Sequence, residues 1–81
     1  MEFPCDFTIK VIGENSASCI DEITEIARKH FPNLSDEAIR KKPSKQGKYL
    51  AFSITVHAQD QATLDAFYLE LTKHPDIKMV L

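Results

Sequence analysis

The sequence predicts one α+β domain over residues 1–81 with the ferredoxin-like βαββαβ fold, in which two helices cover one face of a four-stranded antiparallel sheet. Three observations predict it. The hydrophobic periodicity changes along the chain in the order strand, helix, strand, strand, helix, strand. The 81 residues provide one hydrophobic core, with no room for a second. Each half of the chain is a βαβ-like unit, and two such units form the split βαβ arrangement.

The first strand is predicted over residues 7–13, with one face buried. Its apolar and polar residues alternate, as the period of two in a strand requires. The apolar residues are Phe7, Ile9 and Val11, and Gly13 closes the strand.

The first helix is predicted over about residues 16–30. The N-cap is one of Asn15, Ser16 and Ser18, all of which have side chains that accept a hydrogen bond from the first turn. Ser18, followed three residues later by Asp21, resembles a capping box. An apolar stripe at helical spacing faces the core and is formed by Ile20, Ile23, Ile26 and Ala27.

The second half of the chain begins with a charged edge strand over residues 37–42, whose only large apolar residue is Ile39. Residues 43–48 form a basic turn. The strongest strand signal covers residues 49–58, where alternate residues face the core, namely Leu50, Phe52, Ile54 and Val56.

A second helix begins after Asp60, a favourable N-cap, and ends before Pro75. Its apolar face is formed by Leu64, Phe67, Tyr68 and Leu71. The last strand is predicted over residues 77–81. Strict alternation directs three of its residues toward the core, namely Ile77, Met79 and Leu81.

Composition excludes several classes of protein. The net charge of −2 does not favour a nucleic-acid partner, which normally requires a basic domain. The N-terminus has neither the basic region nor the apolar run of a signal peptide, and no apolar stretch has the length of a membrane span. Two cysteines without a CxxC pair do not form a disulfide framework. We therefore expect a cytoplasmic protein without a membrane partner.

Catalytic and metal-binding patterns are not evident. No Ser or Cys motif accompanies His30, His57 or His74, and no two His or Cys residues have the spacing of metal ligands. Cys19 would lie in the first helical turn, where the helix dipole lowers the pKa of a thiol, but no resolving cysteine is near in sequence. We expect no enzyme activity, no metal and no cofactor.

RNA recognition is the strongest alternative that the topology raises. RRM domains share the fold and stack bases on two or three aromatic residues of the open sheet face. Here Tyr49 is the only aromatic residue predicted on that face. The predicted open face consists of Thr8, Lys10, Ile12, Tyr49, Ala51, Ser53, Thr55, Lys78 and Val80.

The first candidate site is the loop between the first strand and the first helix. A glycine allows the backbone to approach a ligand closely, and the N–H groups at a helix N-terminus attract an anion. The predicted ligand is a small anionic metabolite, bound by Gly13, Asn15, Ser16 and Ser18.

The second candidate site is an interaction surface for a protein partner or for another copy of the chain. It includes the basic turn with residues Lys42, Ser44, Lys45, Lys48 and Tyr49. The open sheet face and the edge strand near Ile39 are further parts of this alternative. The residues alone do not decide between the two sites.

Two family resemblances bear on this choice. Residues 13–15, which lead into the helical residues 20–27, resemble the first loop and helix of ACT regulatory domains. The whole chain more specifically resembles the YbeD-like family of small bacterial ACT-like proteins. The matching segments, in order, are residues 3–13 (FPxxFTxKVxG), 42–49 (KPSKxGxY), 53–55 (SIT) and 79–81 (MVL).

The resemblance implies a cytoplasmic bacterial protein with an ACT-like, ferredoxin-like fold and a regulatory role. ACT domains bind amino acids and control metabolic enzymes. The first hypothesis is therefore a non-catalytic regulatory module that senses a small anionic metabolite or an amino acid. The alternative is a protein-interaction module without a small ligand, which uses the open sheet face or the 42–48 loop.

Overall fold

The computed structural model describes residues 4–81 and has the predicted order of elements. Strands β1 (Cys5–Glu14), β2 (Ile39–Pro43), β3 (Tyr49–Ala58) and β4 (Ile77–Val80) form one antiparallel sheet in the order β2-β3-β1-β4. Helices α1 (Ala17–His30) and α2 (Gln61–Lys73) pack on one face. The predicted ferredoxin-like fold is confirmed. Phe3 of the family-like motif and the N-terminal residues considered for a signal peptide lie outside the described residues.

The core lies between the inner face of the sheet and the apolar faces of the two helices. Most of the residues predicted to face inward are buried there, and Phe31 packs edge-on against Phe67 with ring centroids 5.4 Å apart. Within residues 4–81, no helix is both long enough and apolar enough to cross a membrane. The buried core consists of Ile9, Val11, Cys19, Ile23, Ile26, Ala27, Phe31, Leu50, Phe52, Ile54, Val56, Ala58, Leu64, Phe67 and Leu71.

Side-chain caps define where both helices begin. Ser16 is the N-cap of α1, and its Oγ accepts a hydrogen bond from the N–H of Cys19 at 3.2 Å. The predicted capping box at Ser18 is wrong, because Ser18 already lies inside the first turn. Asp60 caps α2 as predicted, since its Oδ1 accepts a hydrogen bond from the N–H of Thr63 at 2.7 Å.

The edge strand begins two residues later than predicted. Residues Asp36–Ala38 form a single 3₁₀ turn, in which the N–H of Ala38 donates to the carbonyl of Ser35 at 3.1 Å. An ion pair with Arg28 of α1 holds Asp36 at this turn. Strand β2 therefore starts at Ile39, because the backbone N–H of Ala38 is bonded within the turn and pairing with β3 begins only at Ile39.

The prediction that Met79 and Leu81 face the core is wrong. Val80 pairs with Val11 and Met79 with Ile12, but Gly13 pairs with Ile77, which leaves Lys78 as an extra residue in β4. Such a bulge interrupts the alternation of side chains between the two faces. As a result Val80 and Ile77 pack against the core, while Met79 and Leu81 are 50% and 64% exposed on the other side of the sheet.

Candidate functional site

The two candidate sites predicted from the sequence lie next to each other at one end of the sheet. The Nδ2 of Asn15 donates to the carbonyl of Gly47 at 2.7 Å, and the N–H of Asn15 donates to the carbonyl of Lys48 at 3.2 Å. These bonds join the β1–α1 loop to the β2–β3 hairpin across 32 residues of sequence. A partner that binds either site therefore also lies beside the other.

The hairpin turn owes its shape to Ser44 and Gly47. The N–H of Ser44 donates to the carbonyl of Tyr49 at 2.9 Å, and the Oγ of Ser44 accepts from the N–H of Tyr49 at 3.2 Å. Gly47 has a positive φ of 69°, which a residue with a Cβ adopts only with strain. The predicted interaction residue Ser44 thus helps to build the turn, which holds Lys45 and Lys48 in solvent.

Positive charge is concentrated on this hairpin. Five of the ten lysine and arginine residues lie within residues 40–48, which contain no acidic residue. All nine of these residues are exposed. The Nζ of Lys48 lies 5.5 Å from the ring centroid of Tyr49, a distance that permits a cation–π contact.

Within residues 4–81, two of the three cations of the helices have acidic partners, whereas those of the hairpin form no salt bridge. Arg28 pairs with Asp36, and the Nζ of Lys29 lies 3.1 Å from the Oε1 of Glu70. Among residues 4–81, the cations of the sheet and hairpin that form no salt bridge are Lys10, Arg40, Lys41, Lys42, Lys45 and Lys48. Lys78 is the sheet residue that does pair, with the Oε1 of Glu14 at 3.3 Å.

The strand register arranges the open face of the sheet in rows. One row contains Lys42, Ala51, Ile12 and Met79, in that order across the four strands. The next row contains Arg40, Ser53 and Lys10, and Leu81 exchanges backbone hydrogen bonds with Lys10 at 2.7 and 3.0 Å. We call this surface the basic face; it comprises Lys10, Ile12, Arg40, Lys42, Lys45, Lys48, Tyr49, Ala51, Ser53, Met79 and Leu81.

The β1–α1 loop uses several of its predicted ligand groups within the protein. A Cβ on Gly13 would lie 3.1 Å from the Sγ of Cys19 and 3.3 Å from the carbonyl of Asp76, so the protein itself fills the space beside this glycine. Ser16 caps α1, and Asn15 holds the hairpin. Ser18 remains exposed. Metabolite binding by this loop stays a prediction.

Two clefts in the described part of the chain lie away from both candidate sites. The larger, of about 490 Å³, is at the opposite end of the sheet, where the segment after α1 meets the end of β3. The smaller, of about 280 Å³, lies between the two helices. The larger cleft includes Phe31, Leu34 and Val56 together with His30 and His57 in its lining.

Each of the three histidines is hydrogen-bonded to a carboxylate that is distant in sequence. The pairs are His30 with Glu70 at 2.9 Å, His57 with Asp6 at 2.9 Å and His74 with Glu22 at 2.7 Å. Hydrogen bonds from His30 and Lys29 lower the pKa of Glu70. Separations of 40 to 52 residues leave no local motif, which is why sequence reasoning missed these pairs.

Two further groups of side chains could carry chemistry, namely the Cys19 thiol and a cluster around His74. Burial raises the pKa of the Cys19 thiol, which opposes the effect expected from its place in the first helical turn. Glu22, His74 and Asp76 bring three potential metal ligands together. Both ring nitrogens of His74 are already hydrogen-bonded, because Nε2 contacts Glu22 and Nδ1 accepts from the N–H of Asp76 at 3.1 Å.

Comparison with known proteins identifies the family. Residues 1–81 match the family model described as "Protein of unknown function (DUF493)". The chain belongs to the DUF493 family. The UPF0250 protein of Chromobacterium violaceum is 41% identical over 80 residues, covering 99% of this chain and 90% of that protein. Those of Leptothrix cholodnii and Edwardsiella ictaluri are 41% and 36% identical over 81 residues, covering 100% of this chain and 89% and 91% of theirs.

The predicted YbeD-like membership of this DUF493 protein is thereby confirmed across the full chain. What sequence reasoning missed is the composition of its basic face. Met79 and Leu81 were assigned to the core, and Val80 to the open face, because a bulge leaves no mark on the hydrophobic pattern. Arg40 was predicted only as part of the charged edge strand over residues 37–42, and its place opposite Ser53 follows from the register.

Proposed function

We propose that this protein is a non-catalytic binding protein that regulates another protein by docking on it through the basic face. The observation that carries the proposal is the exposure of Met79 and Leu81 on the side of the sheet that neither helix covers. Met79 lies beside Ile12 and Leu81 beside Lys10 at the β4 edge, while the hairpin lysines lie toward the opposite edge of the same face. Interfaces commonly combine apolar contacts with polar and charged ones.

The chemistry of the basic face supports binding rather than catalysis. In the row of the sheet next to the basic face, the side chains of Thr8 and Thr55 bond to each other, with 3.1 Å between their Oγ1 atoms. The adjacent His57 is held by Asp6, and both side chains are more than half exposed. The side chains beside the basic face that could take part in catalysis are therefore engaged with one another.

A small anionic metabolite at Gly13, Asn15, Ser16 and Ser18 is the alternative, and the geometry supports it less. Small-molecule sites are usually concave, and both clefts described above lie away from this loop. Asn15 and Ser16 would have to exchange hydrogen bonds within the protein for bonds to the ligand.

Site-specific photo-crosslinking tests the proposal. A photoreactive amino acid replaces Ala51, which is exposed in the centre of the basic face, or Asp65, which is exposed on α2 and serves as the control position. The same protein should be crosslinked from position 51 in independent cultures of the source bacterium and not from position 65. The purified partner should then bind the purified chain.

Affinity for that partner provides the second measurement. Met79→Ala should weaken binding, whereas Leu69→Ala should not, although Leu69 has a similar exposure of 57% on α2. We expect Met79 to belong to the minority of interface residues whose truncation costs more than about 1 kcal/mol, or roughly a fivefold loss of affinity. Equal crosslinking from positions 51 and 65, or equal effects of the two substitutions, would contradict the proposal.

A further inference from the structure

The charges of the basic face define the class of its partner. We infer that the partner is a protein that presents an acidic surface with apolar side chains among its carboxylates. This inference rests on the proposed function and names what the basic face recognises. It follows from three features of the face: the cations that form no salt bridge within residues 4–81, the exposed apolar side chains on the same face, and the shortage of aromatic residues.

The cations of the basic face lie close together without acidic partners. Arg40 and Lys10 stand on either side of Ser53 in one row of the sheet, two strands apart. Neighbouring strands are separated by about 4.8 Å, so the backbones of these two residues are about 10 Å apart. Lys42 occupies the next row on the same edge. Like charges at this spacing repel one another, and carboxylates of a partner would relieve that repulsion.

The overall charge conceals this arrangement. The chain has a net charge of −2, yet residues 40–48 carry five positive charges and no negative charge. The acidic side chains that border the groove between the helices are Glu22, Glu25 and Glu70. The molecule therefore has a basic side and an acidic side, and the basic side can attract an acidic partner despite the negative net charge.

The apolar side chains of the basic face favour protein over nucleic acid. Ile12, Met79 and Leu81 offer contacts to aliphatic side chains, but they provide neither hydrogen bonds to bases nor aromatic rings on which bases stack. Tyr49 is the aromatic side chain of this face. An acidic protein segment that also carries apolar residues matches both features of the face.

The same charges disfavour a symmetric dimer through this face. A twofold axis places each surface patch against its own copy. The five cations of this face on one protomer would then lie against a surface of the other that carries the same surplus of positive charge. Like-charge contacts of this kind cost several kcal/mol and suppress pairing.

Binding of three labelled probes, measured by fluorescence anisotropy, tests the inference. The probes are an octapeptide of alternating Glu and Leu, its counterpart of alternating Lys and Leu, and a single-stranded oligouridylate. The Glu–Leu peptide should bind best, and its affinity should fall between 50 and 200 mM salt because its ionic contacts are screened.

Charge reversal locates the binding site. Lys42→Glu should weaken binding of the Glu–Leu peptide about five- to tenfold, since it removes an ion pair and adds a repulsion. The matched control is Lys73→Glu, which changes the net charge by the same amount at the exposed C-terminal end of α2. This control should leave the affinity nearly unchanged.

Several results would overturn the inference. These are tighter binding of the Lys–Leu peptide or the oligouridylate, equal effects of the two charge reversals, or a dimer in sedimentation that Lys42→Glu strengthens. If Lys42→Glu does not change the affinity of a partner crosslinked at position 51, the proposed function stands. The inference that the partner presents an acidic surface is then refuted. Absence of both that crosslink and probe binding would refute both.

Discussion

Replacing Gly13 by alanine tests how closely α1 and the α2–β4 connection approach β1. An added Cβ would lie 3.1 Å from the Sγ of Cys19, 3.3 Å from the carbonyl oxygen of Asp76 and 3.4 Å from the Cδ1 of Ile23. The Asp76 carbonyl cannot easily retreat, because it accepts a hydrogen bond from the N–H of Glu14 at 3.0 Å. Cys19 and Asp76 would have to shift by a few tenths of an ångström, whereas Ile23 would be at ordinary van der Waals distance.

Two opposing effects determine the sign of the change in stability. Gly13 does not have a positive φ, so alanine would reduce the entropy of the unfolded chain and stabilise the fold by about 0.4–1 kcal/mol. Overpacking of a filled core typically costs about 1–3 kcal/mol. We expect a net destabilisation on the order of 1–2 kcal/mol. In a domain of this size that lowers the Tm by about 4–8 °C per kcal/mol.

Urea unfolding of four proteins measures this effect: the wild type, Gly13→Ala, Cys19→Ala and the double variant. Cys19→Ala removes the nearest obstructing atom, so Gly13→Ala should cost at least about 0.5 kcal/mol less in that background. Gly13→Ala with unchanged or increased stability, or strictly additive effects in the cycle, would refute the packing argument.

Three further predictions concern the N-cap of α1, the stability at acidic pH and the reactivity of the two thiols. Ser16→Ala should lower the free energy of unfolding by about 1 kcal/mol because it removes the cap of α1, whereas Ser18→Ala should change it by less than about 0.5 kcal/mol; equal losses in urea unfolding would contradict the assigned cap. The folded-state pKa of Glu70 is lowered from its ordinary value of 4.5, so its contribution to stability is present above that pH and disappears as the pH falls through the folded pKa. Glu70→Gln should therefore reduce the decrease in the free energy of unfolding at acidic pH. An unchanged decrease would argue against this ion pair. In the native protein Cys19 should react with a thiol reagent much more slowly than the half-buried Cys5, and equal rates before unfolding would contradict the burial of Cys19.

The inner faces of the elements could be predicted because each depends on a local periodicity. The alternation in β3 placed Leu50, Phe52, Ile54 and Val56 in the core, and the predicted bounds of that strand match the structure. The same holds for the apolar stripes of α1 and α2. Burial of apolar surface strongly favours one register of such patterns, so the pattern alone indicates which side is inside.

Residue types indicated the two candidate sites, but they did not indicate that the sites lie next to each other. Asn15 and the turn at Gly47 are 32 residues apart, and no sequence signal connects an asparagine after a strand to a distant hairpin carbonyl. The N-cap had three candidates of similar propensity, among which the backbone geometry at Ser16 decided. Cys19 was misjudged because its helical position favours a low thiol pKa, whereas burial against the sheet has the larger effect.

The sequence by itself determined the order of the elements, the fold class and most of the core, because periodicity and helix caps act over a few residues. Only the tertiary structure decided that Lys78 is an extra residue in β4, that Met79 and Leu81 therefore face solvent, and that Lys10 and Arg40 share a row of the sheet. These features depend on how strands distant in sequence align. Register is a property of the paired strands, and neither strand carries it alone.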